Sequence, residues 1–153
     1  VGPSADGDGR LYLDHSRDIG EFNPCFPLYD LTVDGDRAAG TVEFPVVYEG
    51  PPGIVHGGFL ALFFDCVMQH HNCDVGAAGK TASLALRYRR PTPIVTPLTF
   101  VIERSVADGR ITNTGRIELD GRVLCEAEMG AAAGESPRGG AGTAIVGING
   151  LLA

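Results

Sequence analysis

Asp65 is the residue best placed to do chemistry. It interrupts the run Phe59 to Met68, in which nine of ten residues are apolar. A carboxylate in such surroundings is costly unless it is paired or hydrogen-bonded, and burial favours its neutral form. Carboxylates so placed serve as general bases or nucleophiles. A structural Asp accepting one hydrogen bond at an interface fits the spacing equally well. Just upstream stands His56-Gly57-Gly58. If a helix starts there, its first amides have no intrahelical partners. Glycines let a ligand approach those amides closely, and the helix dipole adds positive potential. Such a tip suits a carbonyl oxygen gaining negative charge. The plainer alternative is that the glycines only let the helix end pack tightly against a strand.

Geometry separates the two features. Asp65 follows His56 by nine positions, which is roughly 13 Å along a helix axis and about half a turn in angle. One chain cannot bring both to the same reacting atom. Two antiparallel helices across a two-fold axis would bring Asp65 of one copy to Gly57 of the other. An isologous homodimer with two composite sites is therefore expected.

The elements that must hold these residues are legible in the pattern. Residues 1–20 are polar and rich in Asp and Gly, and read as an N-terminal arm. Leu28 to Val33 reads as a strand, Asp34-Gly35 as a hairpin turn, and Ala38 to Val47 as its partner, with Pro45 marking an end or an edge. Glu49 to Gly53 reads as a rigid loop. The helix should run from about Gly57 to Asn72, hydrophobic nearly all round and hence buried. Four strands follow: Thr81 to Arg90, Leu98 to Val106, Arg110 to Leu119 and Arg122 to Met129. Asp108-Gly109 and Asp120-Gly121 make the last three a meander. The globular domain is taken as 21–130, with a Gly/Ala-rich tail over 131–153. The fold class is α+β, an antiparallel sheet wrapped around one long helix.

Composition narrows the function classes. The chain has 153 residues, 44% hydrophobic and 20% charged, with a formal net charge of −7. An acidic domain of this size is a poor nucleic-acid binder, and no apolar stretch is long enough to span a membrane. Cys25, Cys66, Cys73 and Cys125 match no zinc or disulfide spacing, so Cys66 and Cys125 read as core residues in a reducing compartment. No signal-peptide pattern is visible, and a cytoplasmic location is expected. Metal binding by His70-His71-Asn72-Cys73-Asp74 is disfavoured, because adjacent helix positions diverge by about 100°.

The stretch Gly53-Ile-Val-His56-Gly57-Gly58-Phe-Leu-Ala-Leu-Phe-Phe-Asp65 resembles the signature of hotdog-fold thioesterases, in the branch of the phenylacetate-pathway acyl-CoA thioesterases. Thr81-Ala-Ser-Leu-Ala-Leu-Arg-Tyr88-Arg-Arg-Pro91 is similar to the strand that follows it there. The resemblance implies a hotdog fold and hydrolysis of acyl-CoA thioesters, with CoA part of the substrate and no other cofactor. It implies that the Gly57 amide polarises the thioester carbonyl, and that Asp65 activates water or attacks the carbonyl itself. His56 would orient the carbonyl or hold nearby backbone. Thr81, with Ser83 as second choice, would position the nucleophile. It also implies a homodimer, or a tetramer made of two. The chain departs from the family at Gly50, where many members carry an Asn.

Other residues are candidates for binding. Gly58 belongs to the helix tip. Phe59, Phe63, Phe64 and Met68 could line an acyl pocket, although apolar helix residues are usually core. Arg87, Arg89 and Arg90 could hold CoA phosphates through their planar donors, or be an ordinary solvated face. Strand alternation puts Arg87 and Arg89 on one face with Thr81 and Ser83, opposite Leu84, Leu86 and Tyr88. Two functions compete with the enzyme: a non-catalytic acyl-thioester binding module, favoured by the missing Asn, and a structural dimer in a larger assembly.

Overall fold

A computed structural model describes residues 27–76 and 79–132, and the backbone of 145–148. The expected N-terminal arm, Cys25 and most of the tail lie outside the described residues. Five strands and one helix carry the fold: β3 (Arg37–Glu43), α1 (Gly57–Asp74), β4 (Thr81–Tyr88), β5 (Leu98–Ala107), β6 (Arg110–Leu119) and β7 (Arg122–Ala132). Short strands β1 (Leu28–Tyr29) and β2 (Thr32–Asp34) pair with β3. A last strand, β8 (Ile145–Ile148), lies parallel to β4 on its outer edge. The sheet order is β1-β3-β5-β6-β7-β4-β8, antiparallel apart from that last pair.

The turn chemistry explains the meander. Asp108-Gly109 and Asp120-Gly121 both have positive φ at each residue, the geometry whose twist matches antiparallel strands. The first hairpin differs from expectation. Leu28 to Val33 is split in two, because the Asp30 carboxylate accepts from the Thr41 amide at 2.9 Å and its hydroxyl at 2.7 Å. That local bond replaces a ladder bond. The second strand stops at Glu43, and Val46–Tyr48 form a 3₁₀ turn behind Pro45, which has no N–H to continue the ladder.

The sheet curls around α1. Phe63 lies in the centre, edge-on to Phe44 at 5.4 Å and to Phe100 at 5.1 Å between ring centroids. Such pairs add about 0.5–1.5 kcal/mol beyond area burial. Leu60, Phe64, Val67 and Met68 complete the face of the helix that meets Leu84, Leu86, Ile117 and Met129. The helix is not buried all round, however. Gly58 is exposed, and Leu62, Asp65 and Cys66 are half-buried. Their spacing places them on one stripe, which the described residues cover only in part. Among the described residues no helix is long and apolar enough to cross a membrane.

Candidate active site

The helix tip is built by its own cap. His56 has extended backbone, and its Nδ1 accepts from the Gly58 amide at 3.1 Å. Its N–H donates to the Tyr48 carbonyl at 2.7 Å, and its ring lies edge-on to Phe59. One of the two expected open amides is therefore used, since the Gly58 N–H is capped. The Gly57 N–H has no partner among the described residues. Behind it, the Tyr88 hydroxyl donates to the Gly57 carbonyl at 2.8 Å. Burial pushes the Tyr88 phenol up to about 12, helped by neighbouring Cys125, so it stays protonated as a donor. A Cβ on Gly57 would lie 2.9 Å from the Tyr88 oxygen, so the close approach requires glycine.

Asp65 sits two turns further on. Its Oδ1 accepts from the Thr81 hydroxyl at 2.7 Å, a short charge-assisted bond. Its Oδ2 has no hydrogen bond among the described residues. Strand alternation from Arg87 had put Thr81 on the opposite face from the helix. A bulge corrects this: Thr81 pairs with Ala131 and Ser83 with Gly130, so Ala82 is the extra residue. The bulge reverses the phase, and Thr81 joins Leu84 and Leu86 on the helix side. Ser83 stays exposed on the outer face over Gly130 and is not brought to Asp65.

Gln69 was missed in the sequence. It is one turn after Asp65 on the same helix, and its Nε2 donates to Thr81 Oγ1 at 2.9 Å and to the Gly79 carbonyl at 2.8 Å. The i, i+4 relation to Asp65 was the available signal, but a Gln in an apolar helix serves just as readily to tie down a backbone carbonyl or to face solvent.

The other predicted residues fall elsewhere. Phe64 and Met68 are wholly buried beneath Gly115, where a Cβ would lie 3.1 Å from Phe64 and 3.0 Å from Met68. They belong to the core rather than to the open stripe. Phe59 stacks on Tyr48 at 4.3 Å. The arginines are on the outer face of the sheet or at its rim. Arg89 is bridged to Glu126 at 3.0 Å, and Arg90 donates to the Val123 carbonyl at 3.3 Å. Arg87 lines a trough of about 390 Å³ with Arg116, Glu103, Glu126 and Glu128, to which Asp65 does not contribute. Three carboxylates against two guanidiniums make that trough a poor phosphate site.

Gly50 packs against His56: a Cβ there would lie 3.0 Å from the His56 Cα and 3.1 Å from its Cβ. Any larger side chain would have to shift the cap. Cys66, beside Asp65, has its thiol pushed up to about 12 by burial and by the Asp65 charge, which favours the neutral thiol over the thiolate. The His70 to Asp74 segment is structural. His70 Nδ1 meets the Tyr29 hydroxyl at 2.8 Å and His71 Nε2 meets the Gly35 carbonyl at 2.7 Å. Among the described residues no set of three His, Cys, Asp or Glu could hold a metal.

No family model matches the chain. A crystal structure of a thioesterase superfamily protein is 42% identical, with a TM-score of 0.60, covering 63% of this chain and 49% of its own. This chain thus spans about half the length of that protein. A hypothetical thioesterase protein from Streptococcus pneumoniae TIGR4, solved with coenzyme A, matches at TM-score 0.65 and 18% identity, covering 71% of this chain and 90% of its own. A phenylacetic acid degradation-related protein from Ralstonia eutropha JMP134 matches at 0.65 and 18%, covering 79% and 98%. With one helix held in a long antiparallel sheet and these neighbours, the chain has the hotdog fold and is similar to proteins of the thioesterase superfamily.

Proposed function

We propose that this protein hydrolyses an acyl-CoA thioester at a site shared by two protomers. The observation that carries the reading is Asp65: one oxygen is held by Thr81 and the other is without a partner among the described residues, on a stripe of α1 that they cover only in part. A second copy packed on that stripe would bring its Gly57 amide to the reacting carbonyl. Asp65 then takes a proton from water as the water oxygen adds to the carbonyl carbon. The oxyanion accepts from the partner's Gly57 N–H. Collapse breaks the C–S bond, and the CoA thiolate leaves with the proton. Direct attack by the carboxylate, through an anhydride that water cleaves, uses the same groups.

Two further observations support this reading. The Streptococcus pneumoniae relative was solved with coenzyme A. Structures of its variants with an Asp or a Thr exchanged for Ala also match this chain, and those positions are 16 apart, as Asp65 and Thr81 are here. A non-catalytic acyl-thioester binder is the second reading, favoured by Gly50, which offers no side chain to a water or to His56.

A panel of short-chain, aryl and long-chain acyl-CoA esters, assayed for free thiol, tests the proposal alongside Asp65→Asn. Turnover by the wild type but not by the variant is expected. Sedimentation should give a homodimer or a higher even oligomer. A protein that binds an ester yet is as inert as the variant would be the binding module. A fully active monomer would remove the shared site.

A further inference from the structure

We propose that Gln69 is a positioning residue for Asp65, acting through Thr81 by fixing the direction of one hydrogen-bond chain. The inference rests on the thioesterase reading for its kinetic consequence, but its geometry stands apart from it.

The direction follows from donor and acceptor chemistry. The Gly79 carbonyl can only accept, so the group of Gln69 that faces it at 2.8 Å must be the amide nitrogen. Turning the amide over would set oxygen against oxygen there. The second Nε2 proton then points at Thr81 Oγ1, 2.9 Å away. A hydroxyl has a single proton. With one lone pair taken by Gln69, Thr81 keeps that proton for another partner. Two candidates lie in reach: Asp65 Oδ1 at 2.7 Å and the Met129 thioether at 3.5 Å. The carboxylate is the nearer and far stronger acceptor. The chain therefore runs one way, from Gln69 to Thr81 to Asp65.

Burial makes the constraint firm. Gln69 is 6% exposed, and its Oε1 has no hydrogen bond among the described residues. The amide is thus oriented by its nitrogen alone. Without Gln69, Thr81 could rotate its proton to the Gly79 region or to Met129 and present a lone pair to the carboxylate, which would push Asp65 away. With Gln69, Oδ1 is always engaged and Oδ2 is the oxygen left for water or thioester.

The experiment has two arms. In kinetics, Gln69→Met keeps length and apolar volume but cannot donate. Its kcat should fall about tenfold with KM within twofold, a loss within the range for misplacing a general base. In the Thr81→Val background Gln69→Met should add nothing, because the two act as one unit. In spectroscopy on ligand-free protein, both Gln69 side-chain N–H protons should be protected from solvent exchange, and the signal of the one facing Thr81 should move in Thr81→Val. A folded Gln69→Met with wild-type kcat, or with a loss that multiplies with that of Thr81→Val, would overturn the proposal. So would a Gln69 amide signal indifferent to Thr81→Val, an outcome that needs no substitution of Gln69. If no ester is hydrolysed, the functional reading fails, and the amide signal alone decides the chain.

Discussion

Two polar networks tie α1 to the sheet, one near its middle and one near its C-terminal end, and they finish differently. At the far end Asn72 and Asn113, both fully buried, exchange amide bonds at 2.9 and 3.1 Å. Arg104 adds a bond to the Asn72 oxygen at 3.0 Å and an ion pair with Asp36 at 3.2 Å. Both Asn72 and Asn113 have an intramolecular partner for oxygen and nitrogen alike. Near the middle, Gln69 and Thr81 converge on half-buried Asp65 and stop there, with Oδ2 unpartnered among the described residues. A closed network holds elements together, since breaking it strands buried polar atoms. An open one leaves an oxygen available to whatever meets it. The same side-chain chemistry thus serves two ends, and what separates them is whether the network closes within the chain.

The contrast can be broken experimentally. The largest effect is expected at Asp65. Asp65→Asn should lower kcat by about a thousandfold while leaving the thermal midpoint within a few degrees, because no buried network depends on Oδ2. Retained turnover would erase the distinction between the two networks. The closed network should respond the other way. Asn113→Leu strands the Asn72 amide and should cost about 2–3 kcal/mol of stability, read as a lower urea midpoint, with turnover unchanged in the folded fraction. A stable Asn113→Leu would mean that the closed network is idle.

A smaller effect is expected at the helix tip. Gly57→Ala forces the Tyr88 ring to give way, since the new methyl would lie 2.9 Å from its oxygen and 3.1 Å from its ring carbon. A shifted amide should reduce kcat about tenfold. Adding Tyr88→Phe makes room and should recover part of the loss; failure to recover would say the methyl blocks substrate directly.

The smallest effect is a pH slope in stability, set next to the closed network. His71 is wholly buried and donates Nε2–H to Gly35, with Nδ1 lacking a partner among the described residues. Burial holds its pKa below the usual value near 6.5; the Gly35 bond opposes this and Arg104 adds to it. The unfolded chain therefore takes up a proton before the folded one. Stability is whole above about pH 6.5 and falls as pH drops from there toward the folded pKa. Urea midpoints measured from pH 7.5 downward should show that fall, and His71→Gln should flatten it.

Much of the fold was legible because its signals are local. Asp-Gly pairs at 108–109 and 120–121 placed two turns, and the apolar run with its single Asp placed α1. Thr81 was singled out by the resemblance, while strand alternation argued against it. Alternation from Arg87 set it on the outer face, and only a one-residue bulge at Ala82 returns it to Asp65. Phe64 and Met68 could not be separated from a pocket lining by type, because core and acyl pocket ask for the same apolar side chains. Gln69 was invisible for a related reason: its role is set by a carbonyl ten residues away, at Gly79.

By itself the amino-acid order determined most of the elements, the turns, and that one helix carries a carboxylate and starts at a glycine tip. These depend on φ preferences, apolar periodicity and residue type within a few positions. Only the tertiary structure decided which amide at the tip is open, which oxygen of Asp65 is held, and which way the protons along Gln69 and Thr81 point. Those are outcomes of competition among donors and acceptors brought together across the sheet, and no local rule assigns a winner before the chain has folded.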